Sequence, residues 1–173
     1  AYQLAAEWAK DRTQGRAPGA SGPSPIIDHA DVRRMLMTMK AYTEAMRGLV
    51  YDAVAAEDRH LSSGDETTSA EGRDRLALLT PITKAWCTDR GVDVASIGVQ
   101  VHGGMGFVEE TGAAQHYRDA RITPIYEGTN GIQALDLVMR KLPMQDGAVI
   151  TGYLDEIAAL DDALAAAGGE VED

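Results

Sequence analysis

Apolar residues in this chain recur at intervals of three and four, and nowhere hold the alternation of a half-buried strand. The opening run AYQLAAEWAKDR places Leu4, Ala5, Trp8 and Ala9 on one face of a helix over about Ala1–Thr13. A second stripe runs Val32, Met35, Met39, Tyr42, Met46, Leu49, Ala53 and Ala56. That is the a/d seam of a long helix packed nearly parallel or antiparallel to its neighbours. Asp28 is its expected N-cap. The methionines on the seam read as core packing rather than as an adaptable groove. A third helix is expected from Thr80 as N-cap, with Pro81 in its first turn, through Ile82, Ala85, Trp86 and Ile97 to about Val101. It stops at Gly103–Gly104. Shorter helices are expected over Ala113–Arg121, from Thr129 to about Lys141, and over about Tyr153–Ala167, the last ending at Gly168–Gly169.

Two stretches interrupt the helical periodicity. GRAPGASGPSP (Gly15–Pro25) cannot continue a helix and is expected to be partly disordered. SSGDETTSAEG (Ser62–Gly72) reads as a polar, solvent-exposed insertion. The fold class is therefore all-α: a helical bundle over residues 1–142 and a helical C-terminal extension over 143–173. The pattern opens inside a helix with no N-cap before Ala1, so an upstream region is expected to precede it.

Composition narrows the function. The chain has 173 residues, enough for one domain with its own core. Its apolar content is carried by alanine, leucine and methionine, and aromatics make up only 5%, which favours helices. Net charge is −11, so nucleic acid and anionic membrane surfaces, which reward Lys and Arg, are excluded as main partners. No apolar run approaches the roughly 18 residues of a membrane helix. The lone Cys87 cannot pair within the chain and falls in a helical pattern, where it reads as an inert thiol in a reducing, cytoplasmic setting. The histidines His29, His60 and His116 lack metal-ligand spacing, so no metal site is expected.

Candidate chemistry concentrates in QVHGGMGFVEETGAAQHYRDARITPIYEGTNGIQ, Gln100–Gln133. Glycines at Gly103, Gly104, Gly106, Gly128 and Gly131 mark tight turns or places where another molecule approaches the backbone. The helix start near Thr129 leaves backbone N–H groups free, and Glu127 lies just before it. The GGMG run fits neither a P-loop nor GxGxxG. His102 beside glycines reads equally as a hydrogen-bonded structural histidine. Arg118, Asp119 and Arg121 read as a salt-bridged face, and Glu127 as a group placed to favour a helix dipole. From the residues alone the reading stops at a helical bundle with a ligand-binding turn.

Taken together, Q-x-x-G-G-x-G, then R-D-A-R-I, then I-Y-E-G-T resemble the C-terminal signature of the acyl-CoA dehydrogenases, with order, gaps and helical context all matching. The resemblance covers about Ala1–Leu142. The long tail and the G-T-N-G-I-Q-A-L-D-L wording are similar to the subgroup of longer bacterial members that includes 3-methylmercaptopropionyl-CoA dehydrogenase. The family's N-terminal helical and middle β-domains have no counterpart here.

The resemblance implies roles residue by residue. Glu127 matches the family's usual catalytic base, and Gly128 lies against the acyl thioester. Thr129, Asn130 and Gly131 match residues contacting FAD. Gln100, Val101, His102, Gly103 and Gly104 match a strip holding the adenosine and pyrophosphate part of FAD, commonly across a dimer interface. Arg12, Thr13 and Gln14 match a further FAD segment, and His29 a fourth. The implied reaction is α,β-dehydrogenation of an acyl-CoA thioester to the 2-enoyl-CoA. FAD is the hydride acceptor, and an electron acceptor such as electron-transfer flavoprotein follows. A homo-oligomer, dimer or tetramer, is implied, with the Val32–Ala56 seam and the Gln100–Gly104 strip in or near its interface. The chain alone is expected to bind FAD weakly and to be inactive. The alternatives are an acyl-CoA oxidase and a non-catalytic helical assembly module.

Overall fold

A computed structural model describes residues 1–166, and the expected stop at Gly168–Gly169 lies outside the described residues. The helices are α1 (Tyr2–Asp11), α2 (Ala30–Ser62), α3 (Glu66–His102), a single turn α4 (Gly104–Phe107), α5 (Ala113–Arg121), α6 (Asn130–Asp136) and α7 (Ala148–Ala166). A π-helical turn, Leu137–Lys141, continues α6. The only ladder-type contact among the described residues is one isolated bridge, Thr13 with Pro25. None of these helices is long and apolar enough to cross a membrane.

α3 is the axis of the bundle: α1, α2, α5, α6 and α7 all pack on it, α2 most extensively. The main core cluster joins Ala5 and Ala9 of α1, Met35, Leu36 and Met39 of α2, and Val94 and Val101 of α3. Of the seam, Met35, Met39, Ala53 and Ala56 are buried inside the chain, and Val32, Tyr42, Met46 and Leu49 are half-buried. α2 shows other apolar residues to solvent, among them Met37, Tyr51, Val54 and Leu61.

The structure corrects three of the expected boundaries. α2 begins one residue later than an Asp28 cap would put it: Asp28 sits in a 3₁₀ turn (Ile26–Asp28), and His29 holds the cap position without a side-chain bond. The polar stretch after Ser62 is a turn of only three residues, Ser63–Asp65, and its remainder opens α3. Asp65 caps that helix, accepting from the Thr68 amide at 2.7 Å and the Thr68 hydroxyl at 2.7 Å. Those bonds, the hydroxyl first, hold the Asp65 carboxyl below its ordinary value. The cap therefore stabilises above the usual carboxylate range, and its contribution is lost as pH falls through the depressed value. Ser69 then donates to the His60 carbonyl at 2.7 Å, tying the two helices beside the turn.

Pro81, expected in a first turn, lies inside α3. A mid-helix proline removes one backbone bond and costs about 3 kcal/mol. Here Leu78, Leu79 and Pro81 are all fully buried. Packing on the flanking turns outweighs the local preference for a break. Thr80, no longer a cap, turns its hydroxyl back to the Leu76 carbonyl at 2.7 Å.

The Gly15–Pro25 loop is a pinned hairpin rather than a disordered segment. Gln14 N–H donates to the Ser24 carbonyl and Ser24 N–H to the Gly15 carbonyl, both at 3.0 Å. The buried Ser24 hydroxyl accepts from Ala17 N–H at 3.2 Å.

α7 starts five residues before the expected Tyr153, after a turn in which Gln145, Asp146 and Gly147 all have positive φ. Arg75 of α3 anchors it. The guanidinium grips Asp52 with two nitrogens (2.9 and 3.0 Å), donates to Glu156 at 2.6 Å, and lies 4.8 Å over the Tyr153 ring. Burial alone would lower the Arg75 pKa, but the bonds to Asp52 and Glu156 outweigh it and raise it.

The α2–α3 approach is closest at Gly72, where an added Cβ would lie 2.6 Å from the Ala56 carbonyl oxygen and 2.7 Å from the His60 nitrogen. Gly72→Ala should therefore destabilise the fold by ~1–3 kcal/mol through overpacking, against the ~1 kcal/mol that alanine gains in an exposed helix. Urea unfolding checks it: the midpoint falls for Gly72→Ala, and a raised midpoint would contradict this backbone contact.

Candidate functional site

The turn before α6 carries the candidate chemistry. Ile125 N–H and Tyr126 N–H both bond to the Ile122 carbonyl, at 2.9 and 3.2 Å, closing a compact turn after α5. The chain then reverses through two left-handed residues in succession, Glu127 (φ 53°) and Gly128 (φ 84°). Glycine accepts that conformation freely, whereas for other residues it is uncommon and strained. A side chain at Gly128 would also meet the Gln133 amide nitrogen at 2.9 Å.

Three residues that sequence reasoning missed hold this turn. Lys84 of α3 donates to the Gly128 carbonyl at 2.8 Å and to the Asn130 side-chain oxygen at 2.7 Å. The Asn130 amide nitrogen reaches the Ala85 carbonyl (3.1 Å), the Thr88 hydroxyl (2.9 Å) and an Asp89 carboxylate oxygen (2.7 Å). From the other side, Asn130 N–H bonds to the Pro124 carbonyl at 3.2 Å. Lys84, Thr88 and Asp89 share one face of α3 at i, i+4 and i+5. A half-buried lysine and threonine one turn apart on α3 were the available signal.

The Glu127 side chain is exposed and makes no hydrogen bond or ion pair among the described residues. Near it in the chain, Ile122, Ile125 and Tyr126 before the turn and Ile132, Leu135 and Val138 after it are all exposed.

The strip Gln100–Gly104 lies elsewhere. Lys84, at the turn, and Gln100 are sixteen residues apart on α3, roughly 24 Å along the axis at about 1.5 Å per residue. One chain therefore does not bring the strip and Glu127 together. Val101 and His102 face the core. His102 Nδ1 pairs with the Gly98 carbonyl at 2.7 Å, and its ring stacks on Trp8 with centroids 5.1 Å apart. What the strip shows outward is Gln100 and the backbone at Gly103 (φ 62°) and Gly104. A Cβ at either glycine would meet nothing within 4 Å. That open backbone suits the close approach of a polar ligand.

Arg12, Thr13, Gln14 and His29 are drawn together by the hairpin. Thr13 pairs with Pro25, Arg12 O accepts from Ile26 N–H at 2.8 Å, and the His29 Nε2 lies 2.8 Å from the Gln14 carbonyl. Thr129 caps α6 without a side-chain bond, and Gly131 is exposed. Arg118 is a surface ion-pair residue, bidentate to Glu109 at 2.8 and 2.6 Å. Burial pushes the half-buried Cys87 thiol up, which keeps it protonated and unreactive.

Comparison with known proteins bears directly on this arrangement. Residues 1–142 match the family described as acyl-CoA dehydrogenase, C-terminal domain. The 3-methylmercaptopropionyl-CoA dehydrogenase of Ruegeria pomeroyi is 47% identical over 99% of this chain and 29% of its own length. A butyryl-CoA dehydrogenase of Syntrophomonas wolfei is 37% identical over 91% of this chain and 26% of its own. Among solved structures, the butyryl-CoA dehydrogenase of Megasphaera elsdenii superposes with a TM-score of 0.64 at 32% identity, covering 82% of this chain and 32% of that one. An acyl-CoA dehydrogenase of Bacillus anthracis, solved in complex with FAD, gives 0.69 at 27% identity over 84% of this chain and 26% of that one. The chain thus spans less than a third of the length of each of these relatives.

Gly104 of the strip and Gly106 just beyond it are separable by experiment. At Gly106 a Cβ would lie 2.2 Å from the Val99 carbonyl oxygen and 2.9 Å from the His102 Cβ, whereas Gly104 faces open space. Gly106→Ala should cost ~1–3 kcal/mol by overpacking, and Gly104→Ala should stay within about 0.5 kcal/mol. Urea unfolding of both variants checks the contrast, and equal losses would contradict the packing difference.

Proposed function

This chain belongs to the acyl-CoA dehydrogenase family, as the C-terminal domain of its members, and from that premise we propose that it carries Glu127 as the catalytic base of a flavin-dependent acyl-CoA dehydrogenation. The observation that carries the reading is the carboxylate itself. It stands in a left-handed turn that favours glycine, without a protein partner among the described residues, between the exposed Ile125 and Tyr126 before it and the exposed Ile132 after it. Nothing in the bundle's own packing asks for an ionisable group there.

The proton next to a thioester carbonyl is weakly acidic, so its removal needs a base held within hydrogen-bond reach. Glu127 takes that α-proton. Gly128, with no side chain, lets the acyl thioester lie against the turn, and the exposed Ile125, Tyr126 and Ile132 exclude water from it once covered. FAD, when bound, supplies acceptance of the β-hydrogen as hydride. The product is the 2-enoyl-CoA, with one proton and one hydride removed from adjacent carbons. Reoxidation falls to an acceptor such as electron-transfer flavoprotein.

Gln100 and the open backbone of Gly103 and Gly104 are the residues that would hold the adenosine and pyrophosphate portion of FAD. Their distance from Glu127 supports a strip that serves the flavin of a neighbouring subunit, hence a homo-oligomer. Arg12, Thr13, Gln14 and His29, clustered by the hairpin, would add a second contact, and Thr129 and Gly131 a third. The Asn130 side chain is already engaged by α3, so its part in binding FAD is indirect.

In the full-length protein, Glu127→Gln keeps shape and loses the proton acceptor, and should slow anaerobic flavin reduction by saturating acyl-CoA ~10²–10⁴-fold. Acyl-CoA and FAD binding should change little. A glutamate acting only on the helix dipole is worth about 0.3–1 kcal/mol and would leave the rate alone. Stopped-flow bleaching of the flavin at the wild-type rate would refute the assignment. The chain 1–173 by itself should bind FAD weakly and show no turnover, because it holds only part of each flavin contact. Sub-micromolar FAD binding by isothermal titration would contradict that.

A further inference from the structure

Resting on the assignment of Glu127 as base, we infer that Lys84 is the residue that positions it. Glutamate at φ 53° is held in a conformation that costs energy and persists only where the surroundings over-determine it. The carbonyl that leaves this reversal belongs to Gly128, and its strong donor is the Lys84 ammonium at 2.8 Å. Gln133 contributes only long contacts, 3.4 Å to the Glu127 carbonyl and 3.4 Å to the Gly128 carbonyl.

The same ammonium bonds to the Asn130 side-chain oxygen at 2.7 Å. Asn130 in turn donates to the Ala85 carbonyl and the Thr88 hydroxyl. Thr88 closes the ring by donating to the Lys84 carbonyl at 2.6 Å. One cation thus grips the chain at two points just after the glutamate, the Gly128 carbonyl and the side chain of Asn130 at the first position of α6. Its own backbone is fixed in the longest helix of the bundle.

A neutral donor would make these contacts more weakly, since charge-assisted bonds are roughly twice as strong. Lys84 is half-buried, which lessens the screening of its charge by water. No atom of Lys84 is called on to touch substrate. It acts by fixing where the Glu127 carboxylate points, and misplacement of a reacting group by about 1 Å costs on the order of 100-fold in rate.

The test uses the full-length flavoprotein with Lys84→Met, which keeps length and removes the charge and donors. Flavin reduction at saturating acyl-CoA, normalised to bound flavin, should fall about 10–100-fold, with the acyl-CoA KM within about threefold. Thr88→Val, which loosens Asn130 and leaves the Lys84 ammonium in place, should give a smaller loss. The decisive readout is the double variant Lys84→Met/Glu127→Gln, which should be no slower than Glu127→Gln alone, because Lys84 acts only through the carboxylate. Multiplying losses in the double variant would overturn the inference, as would a Lys84→Met rate within twofold of wild type. If Lys84→Met fails to retain flavin, Thr88→Val decides, and an unchanged rate there counts against it. Glu127→Gln run alongside separates the two claims: wild-type bleaching in that variant defeats the base assignment itself, whereas its slow bleaching beside an unaffected Lys84→Met defeats only the role of Lys84.

Discussion

A helix of 37 residues with a proline near its middle stands only if packing on both sides of the break holds the two halves in line. In this protein that packing is the contact of α3 with α2, and the rest of the fold depends on it. Leu78, Leu79 and Pro81 are fully buried at the point where the backbone bond is missing, and Gly72 lets the helices close to backbone distance about two and a half turns before the proline. Had α3 ended at Thr80, the face carrying Lys84 and Thr88 would have had no fixed relation to the N-terminal half of the helix. Because it continues, one rigid element orients α1, α5, α6 and α7 together.

The two candidate contact regions sit at different stations on this element. The strip Gln100–Gly104 ends α3, where positive φ at Gly103 stops the helix and exposes its last backbone groups. The Glu127 turn leans on its middle, held by the Lys84–Asn130–Thr88 ring. Rigid separation of this kind suits a large, extended cofactor gripped by more than one surface. It also explains the contrast in burial: Val101 and His102 lock the strip into the core, while Glu127 and its apolar neighbours are left outward for contacts the bundle does not supply.

The C-terminal extension adds a third demand on α3. α7 is fastened by Arg75 to Asp52 and Glu156, bordering a polar cleft of about 640 Å³ lined also by Arg59, Glu71 and Tyr153. Beyond this clasp, Leu154, Ile157, Leu160 and Leu164 are exposed. α7 is thus clasped at Tyr153 and Glu156 and shows exposed apolar residues along its length.

By itself the sequence determined the helical class, the approximate extent of α1, α2, α5 and α6, and the stop at Gly103, and it singled out Glu127 as the candidate base. These follow from local rules: periodicity near 3.6, glycine's tolerance of positive φ, and a motif whose order and gaps lie within thirty-four residues. Tertiary structure decided the rest. It carried α3 through Pro81, turned the polar run after Ser62 into two helical turns, and pinned the Gly15–Pro25 hairpin through the buried Ser24. It also recruited Lys84 and Thr88, more than forty residues from the turn they hold. Each of these outcomes sets a local preference of a few kcal/mol against burial and hydrogen bonds made with residues distant in the chain. Local patterns do not record which distant partner will be there.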